Sequence, residues 1–133
     1  MADGLTDLEK SVIEAVTEDA WMTLAADLIR CGQPASGNAL DPDQPHAEEE
    51  AIAHMVAGEL KGMGFDVQMP VKRRGRPNVL GRIKGAAGPS LMINDHLDTY
   101  PVVEPQKWDK PAFDPYNATR HGDLLYARGT SDT

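Results

Sequence analysis

The chain has 133 residues, 26% of them charged and 41% apolar, with a net charge of −8. That is the balance of an ordinary soluble globular domain, or of part of one. The acidic excess speaks against a protein that coats nucleic acid, no apolar run nears the roughly 20 residues a membrane helix needs, and the acidic start MADGLTDLEK lacks the apolar core of a secretory signal.

Thr6 and Glu9 have the spacing of a capping box, so a helix starts there. Leu8, Val12, Ile13, Val16, Ala20, Leu24, Leu28 and Ile29 recur at steps of three and four, an apolar stripe reaching to about Arg30. Thr17-Glu18-Asp19 can restart the stripe as a separate helix. Cys31 is the single cysteine. It excludes an internal disulfide framework and a multi-cysteine zinc site, reads as a small buried apolar residue, and agrees with a reducing, cytoplasmic setting. Residues 32–45 carry Gly32, Pro34, Gly37, Pro42 and Pro45 and read as a loop. A further helix fits 46–63, with Ile52, Met55, Val56, Leu60 and Met63 on one face. Glu48, Glu49 and Glu50 suit the positive end of its dipole, and Gly62 or Gly64 can end it.

The period then changes. Phe65, Val67, Met69 and Val71 alternate with polar residues, as on a strand with one buried face. Lys72, Arg73, Arg74, Gly75 and Arg76 read as a solvated hairpin tip, and 79–84 reads as the returning strand. GAAGP makes the next turn. Leu91, Met92 and Ile93 form an unbroken apolar run, which suits a strand buried on both faces at the centre of a sheet. Residues 101–117 form a proline-rich loop pinned by Trp108 and Phe113. Gly122 opens a last short strand through Leu124, Leu125 and Tyr126. Helices followed by strands argue for an α/β layer domain. Charge is divided unevenly: residues 1–50 hold 12 acidic and two basic side chains, whereas 51–133 hold nine acidic and 11 basic.

Chemistry concentrates in two places. NDHLDTYP puts His96 and Asp98 directly after the most apolar strand, where open α/β sheets bind ligands. Side chains two apart in extended backbone point the same way, so Asp98 can reach the His96 imidazole, fix its tautomer and leave the other nitrogen for a metal. The bland alternative is a structural His–Asp hydrogen bond or a capping aspartate. LLYARGTSDT places Asp132 after a strand and a glycine turn, where it can bridge metals or simply cap a following helix. His46 reads as a helix-start residue, His54 as a helix-surface residue and His121 as a turn residue. No phosphate loop, dinucleotide fingerprint or Gly-x-Ser-x-Gly elbow is present.

DHLDTYP, then KWDKPAFDP, then GDLLYARGTSD together resemble the family of dinuclear zinc exopeptidases and deacylases that includes acetylornithine deacetylase, succinyl-diaminopimelate desuccinylase, aminoacylase and glutamate carboxypeptidase. LIRCGQP, GFDVQ and PNVLGRIKG extend the likeness over nearly the whole chain. The resemblance implies an α/β fold, the N-terminal part of a zinc-exopeptidase-like three-layer domain with helices packed on a mixed central sheet, here incomplete. Residues 1–133 would then be a partial metallohydrolase catalytic domain without the lid or dimerisation domain. By the same resemblance His96 is a metal ligand, Asp98 supports it from behind, and Asp132 is the carboxylate that bridges two ions. Zinc is the implied metal, with cobalt or manganese as alternatives. The implied reaction is hydrolysis of an amide in an N-acyl amino acid or small peptide, and a homo-oligomer is compatible with it. The family also tends to place a cis peptide after the bridging aspartate, here Asp132–Thr133.

The departures are Asp95 for the usual glycine, Tyr100 for valine and Ala127 for glycine. The family's general-base glutamate, further acidic ligand and last histidine have no counterpart here, so the 133 residues alone are expected to be inactive. Two other classes compete: a non-catalytic binding or oligomerisation module that keeps the fold, and an unrelated small α/β protein in which the motif spacings coincide.

Overall fold

A computed structural model describes residues 4–31, 49–99, 102, 104–108 and 113–131. Its elements in order are α1 (Asp7–Ala15), α2 (Glu18–Cys31), α3 (Glu50–Gly62), β1 (Asp66–Gln68), β2 (Val71–Arg73), β3 (Arg76–Pro77), β4 (Leu80–Arg82), a short 3-10 turn (Pro105–Lys107), β5 (Thr119–His121) and β6 (Leu124–Tyr126). The predicted α/β content is therefore present. None of the described helices is long and apolar enough to cross a membrane.

Thr6 caps α1 as its spacing predicts. Its hydroxyl accepts the Glu9 amide at 3.3 Å, and the Glu9 carboxylate accepts the Thr6 amide at 2.6 Å. The Thr6 hydroxyl also donates to the Glu9 carboxylate at 2.7 Å, and that bond first, the Thr6 amide second, holds the Glu9 carboxyl below its usual range. The apolar stripe is cut in two. Val16 leaves helical geometry, and the Thr17 hydroxyl accepts the Ala20 amide at 3.3 Å, so Thr17 restarts the helix as α2. Leu8, Val12, Ile13 and Val16 of the first piece remain exposed. Cys31, at the end of α2, is half-buried.

α3 is the hub of the packing, in contact with α2, β1, β3 and β4. The centre of its buried face is Ala53 and Ala57 rather than the larger residues that the periodicity picks out. Ile52, Met55, Val56 and Leu60 flank them half-buried, while Met63 lies outside, in the cap. Two alanines four apart let neighbouring elements approach closely, which a row of bulky side chains would prevent.

The helix ends in a Schellman motif. Gly64 takes φ +87°, its amide donates to the Lys61 carbonyl at 2.9 Å, and the Phe65 amide donates to the Leu60 carbonyl at 3.0 Å. That turn throws the chain directly into a hairpin. β1 pairs antiparallel with β4 (Val67 opposite Gly81), and β2 pairs with β3 nearer the tip (Val71 opposite Pro77). Pro70 has no amide to donate, which interrupts the ladder between the two pairs. Its carbonyl still accepts the Asn78 amide at 3.0 Å. Gly75, at φ +77°, turns the tip. Gly81 lets the hairpin press onto the helix end: a Cβ there would stand 3.0 Å from Leu60 Cδ1 and 3.2 Å from Phe65 Cδ1.

A second packed group lies at 113–131. β5 and β6 form a hairpin turned at Gly122, φ +61°. Phe113 stacks on Tyr126 with ring centroids 4.2 Å apart and meets the His121 ring edge-on at 6.3 Å, so His121 is a strand residue with an aromatic neighbour. Pro115 is fully buried, and its carbonyl accepts the Arg128 amide at 2.8 Å. Phe113 is thus half-buried against the β5–β6 hairpin, and Trp108 is half-buried. The Arg120–Glu18 ion pair and the Arg30–Asn117 hydrogen bond join this group to α2.

Two expectations need correction. Leu91, Met92 and Ile93 form no strand and are 87%, 82% and 87% exposed. Burial on both faces is supplied by neighbouring strands, and no described strand runs alongside. Likewise the described strands form separate two-stranded antiparallel sheets and no mixed central sheet.

Candidate functional site

His96 and Asp98 lie where the chain changes character. Residues 84–96 are exposed and carry no ladder, and the backbone becomes half-buried at Leu97, Asp98 and Thr99. The sequence reading of this pair holds in its geometry. His96 Nδ1 lies 2.8 Å from the Asp98 carbonyl oxygen and 3.2 Å from its Oδ1. Facing two acceptors, Nδ1 carries the proton and donates. The lone pair of the neutral ring is then on Nε2, the arrangement of a metal-ligating histidine backed by a carboxylate.

Asp95, the residue that departs from the resembled motif, turns back on its own chain. Its Oδ1 accepts the His96 amide at 2.8 Å. That bond fixes the backbone at the histidine and engages the extra carboxylate locally.

Asp132 and the peptide after it lie outside the described residues, as does His46. Among the described residues no three of His, Cys, Asp and Glu are grouped to hold a metal ion. The donor set on view is thus one imidazole and its supporting carboxylate. It fits one ligand position of a zinc-type site, and any further donors must come from elsewhere in the protein. His54 stands exposed on α3, as predicted for a helix-surface residue.

The sequence reading missed one electrostatic feature. Arg76 is not part of the solvated tip. Lys72, Arg73 and Arg74 are exposed, but the Arg76 guanidinium is largely buried and pairs with Glu49 at 3.2 Å. Burial is the main cause that pushes the Glu49 carboxyl above its usual range; Arg76 opposes the shift and the charge of Asp98 adds to it. No local pattern marks Arg76 among four nearby cations, or Glu49 among three adjacent glutamates. Arg128 is a second buried cation, 8% exposed, with its guanidinium carbon 5.3 Å from the Tyr116 ring centre. Burial pushes it below its ordinary value, with Tyr116 opposing.

Comparison with known proteins places these residues in a family. N-formyl-4-amino-5-aminomethyl-2-methylpyrimidine deformylase of Bacillus subtilis is 35% identical over 99% of this chain and 29% of its own length. A succinyl-diaminopimelate desuccinylase of Methylobacterium is 36% identical over 87% of the chain and 26% of its own length. An acetylornithine deacetylase of Vibrio atlanticus is 32% identical over 71% of the chain and 24% of its own length. The chain thus spans only 24–29% of the length of these relatives. No family model and no solved structure matches it. With motifs spread over nearly all its residues and relatives aligned along the same stretch, the chain belongs to the deacylase and exopeptidase family of succinyl-diaminopimelate desuccinylase and acetylornithine deacetylase.

Proposed function

We propose that this chain forms part of a metal-dependent hydrolase that cleaves the amide bond of N-acyl amino acids or small peptides. The observation that carries the reading is the double hold of Asp98 on His96 Nδ1, at 2.8 Å from the carbonyl and 3.2 Å from the carboxylate. Two acceptors on the same nitrogen commit the ring to one tautomer and raise the basicity of the other nitrogen, which suits a ligand.

In this reading His96 and Asp132 would hold the zinc, with cobalt or manganese able to substitute. Bound there, the metal would polarise the acyl carbonyl and lower the pKa of a water to supply hydroxide. Asp98 holds the ring proton at Nδ1 and keeps the imidazole aimed, and the Asp95–His96 bond holds the backbone from which it is aimed. The general base and remaining ligands lie outside these residues, in a three-layer catalytic domain completed by other strands. For that reason we expect no turnover of N-acetyl or N-succinyl amino acids by the 133 residues alone.

Zinc titration of the chain by calorimetry tests the reading. Weak binding of one ion, lost in His96→Ala, is the expected result. Equal zinc affinity in the two proteins would overturn it, as would hydrolysis by the isolated chain at a rate that is insensitive to chelator.

A further inference from the structure

Among the described residues α1 contacts none of the other helices or strands. Leu8, Val12 and Ile13, with Val16 at its end, are each more than half exposed. A helix of nine residues has little stability of its own in water. An apolar stripe on a helix that packs on no other element marks an interaction surface.

The hairpin of residues 66–82 and the segment after it carry the complementary features. Gly81 faces Leu60 and Phe65 at the end of α3, so its chain neighbours Leu80 and Arg82 point the other way, into solvent. Val71, Leu80 and Ile83 are each more than half exposed. Residues 67–94 hold six cations and no acidic residue, whereas residues 7–31 hold six acidic residues and two cations. Arg76 is taken by Glu49. Lys72, Arg74, Arg82 and Lys84 on one surface, and Glu14 and Asp19 on the other, are exposed and form no ion pair among the described residues. Opposite charge and exposed apolar side chains thus coincide on two surfaces, and the strands of the hairpin do not meet α1 within one chain.

We propose that these surfaces are the two halves of a self-association interface: the hairpin of one copy seats on α1 of a second copy, and the second copy's hairpin seats on α1 of the first. Two-fold symmetry makes the contact twice. The apolar residues of the hairpin cover the α1 stripe, and the Lys72–Arg74 tip lies against the acidic stretch from Glu14 to Asp19. Pairing α1 with a second α1 would also cover the stripe, but it sets two acidic helices against each other, and like charges facing across an interface are costly. Neither metal nor substrate enters the contact, so it stands or falls apart from the hydrolase reading.

Sedimentation equilibrium of the 133-residue chain over a range of concentrations tests the proposal. A dimer is expected, with a dissociation constant that rises about tenfold or more from low to high salt, as exposed charges are screened. Lys72→Glu with Arg74→Glu makes both surfaces acidic and should raise the constant about tenfold or more at low salt. Glu14→Lys with Asp19→Lys makes both surfaces basic and should do the same. Mixing the two variants should restore dimers, because each then offers the other two complementary contacts. Val12→Ser should weaken the dimer in either salt, through the lost apolar cover. A chain that stays monomeric at every concentration and salt would overturn the proposal. A dimer indifferent to both charge reversals would overturn it too, and would assign the stripe to pairing of α1 with α1. Failure of the mixed variants to form a dimer is the third overturning result.

Discussion

Residues 49–82 and residues 83–99 are neighbours in the chain and opposites in structure. The first stretch closes on itself. α3 ends in a Schellman turn, the hairpin folds back, and Leu60, Phe65 and Gly81 meet at the helix end. The second holds the most apolar run of the chain and the candidate site, yet has no ladder and leaves Leu91, Met92 and Ile93 in water. The difference is one of partner distance. In 49–82 each element finds its partner within about one helix length of sequence, where loop closure is cheap. The run at 91–93 has no described strand beside it.

Substitutions can break or sharpen this contrast. The largest effect is expected at Ala57, which is 2% exposed on the packed face of α3. Ala57→Leu should cost about 1–3 kcal/mol by overpacking, read from urea unfolding. A loss within about 0.5 kcal/mol, the scatter of surface substitutions, would show that 49–82 is no better packed than 83–99. Gly81→Ala comes next. Its new methyl would stand 3.0 Å from Leu60 Cδ1. Leu60 can rotate its end away, so a loss of about 1 kcal/mol is expected. An increase in stability would mean that the hairpin does not press on the helix.

Glu49 ties the packed stretch to the site by charge, and pH reads that tie. Its folded carboxyl titrates above the usual range, from burial first and from Asp98, against Arg76. A carboxyl raised on folding favours the protonated fold. Its contribution is therefore fully present below the ordinary carboxylate range and is lost as pH rises through the raised value. The stability of wild type relative to Glu49→Gln should fall as pH climbs through and just above that range, in unfolding curves taken at successive pH values. A difference that grows with pH instead would mean that Arg76 outweighs burial. The smallest effect is expected at Met92. Although it is large and apolar, Met92→Ser should leave stability within about 0.5 kcal/mol, because the side chain is already 82% exposed. A larger loss would place 83–99 with the packed region.

Much of the local structure was legible from residue order. The capping box of Thr6 and Glu9, the restart at Thr17, the stop at Gly64 and the turn at Gly75 each depend on residues a few positions apart. So does the His96–Asp98 bond, because extended backbone brings side chains two apart to the same side. Glu49–Arg76 was not legible. It joins a helix start to a strand 27 positions later, and nothing around either residue distinguishes it from its charged neighbours. The alanine core of α3 was hidden for a related reason: apolar periodicity ranks residues by size, whereas close approach of two elements selects for smallness.

Sequence alone therefore determined the helices and the cap at Thr6, the first hairpin and its turn, the family, and the pairing of one histidine with one aspartate. All of these rest on contacts made within a few residues or on motifs strung along the chain. Tertiary structure alone decided which cation is buried, which face of α3 is the core, and that an apolar run lies exposed. Burial belongs to a residue's neighbours in space, and the order of residues does not name them.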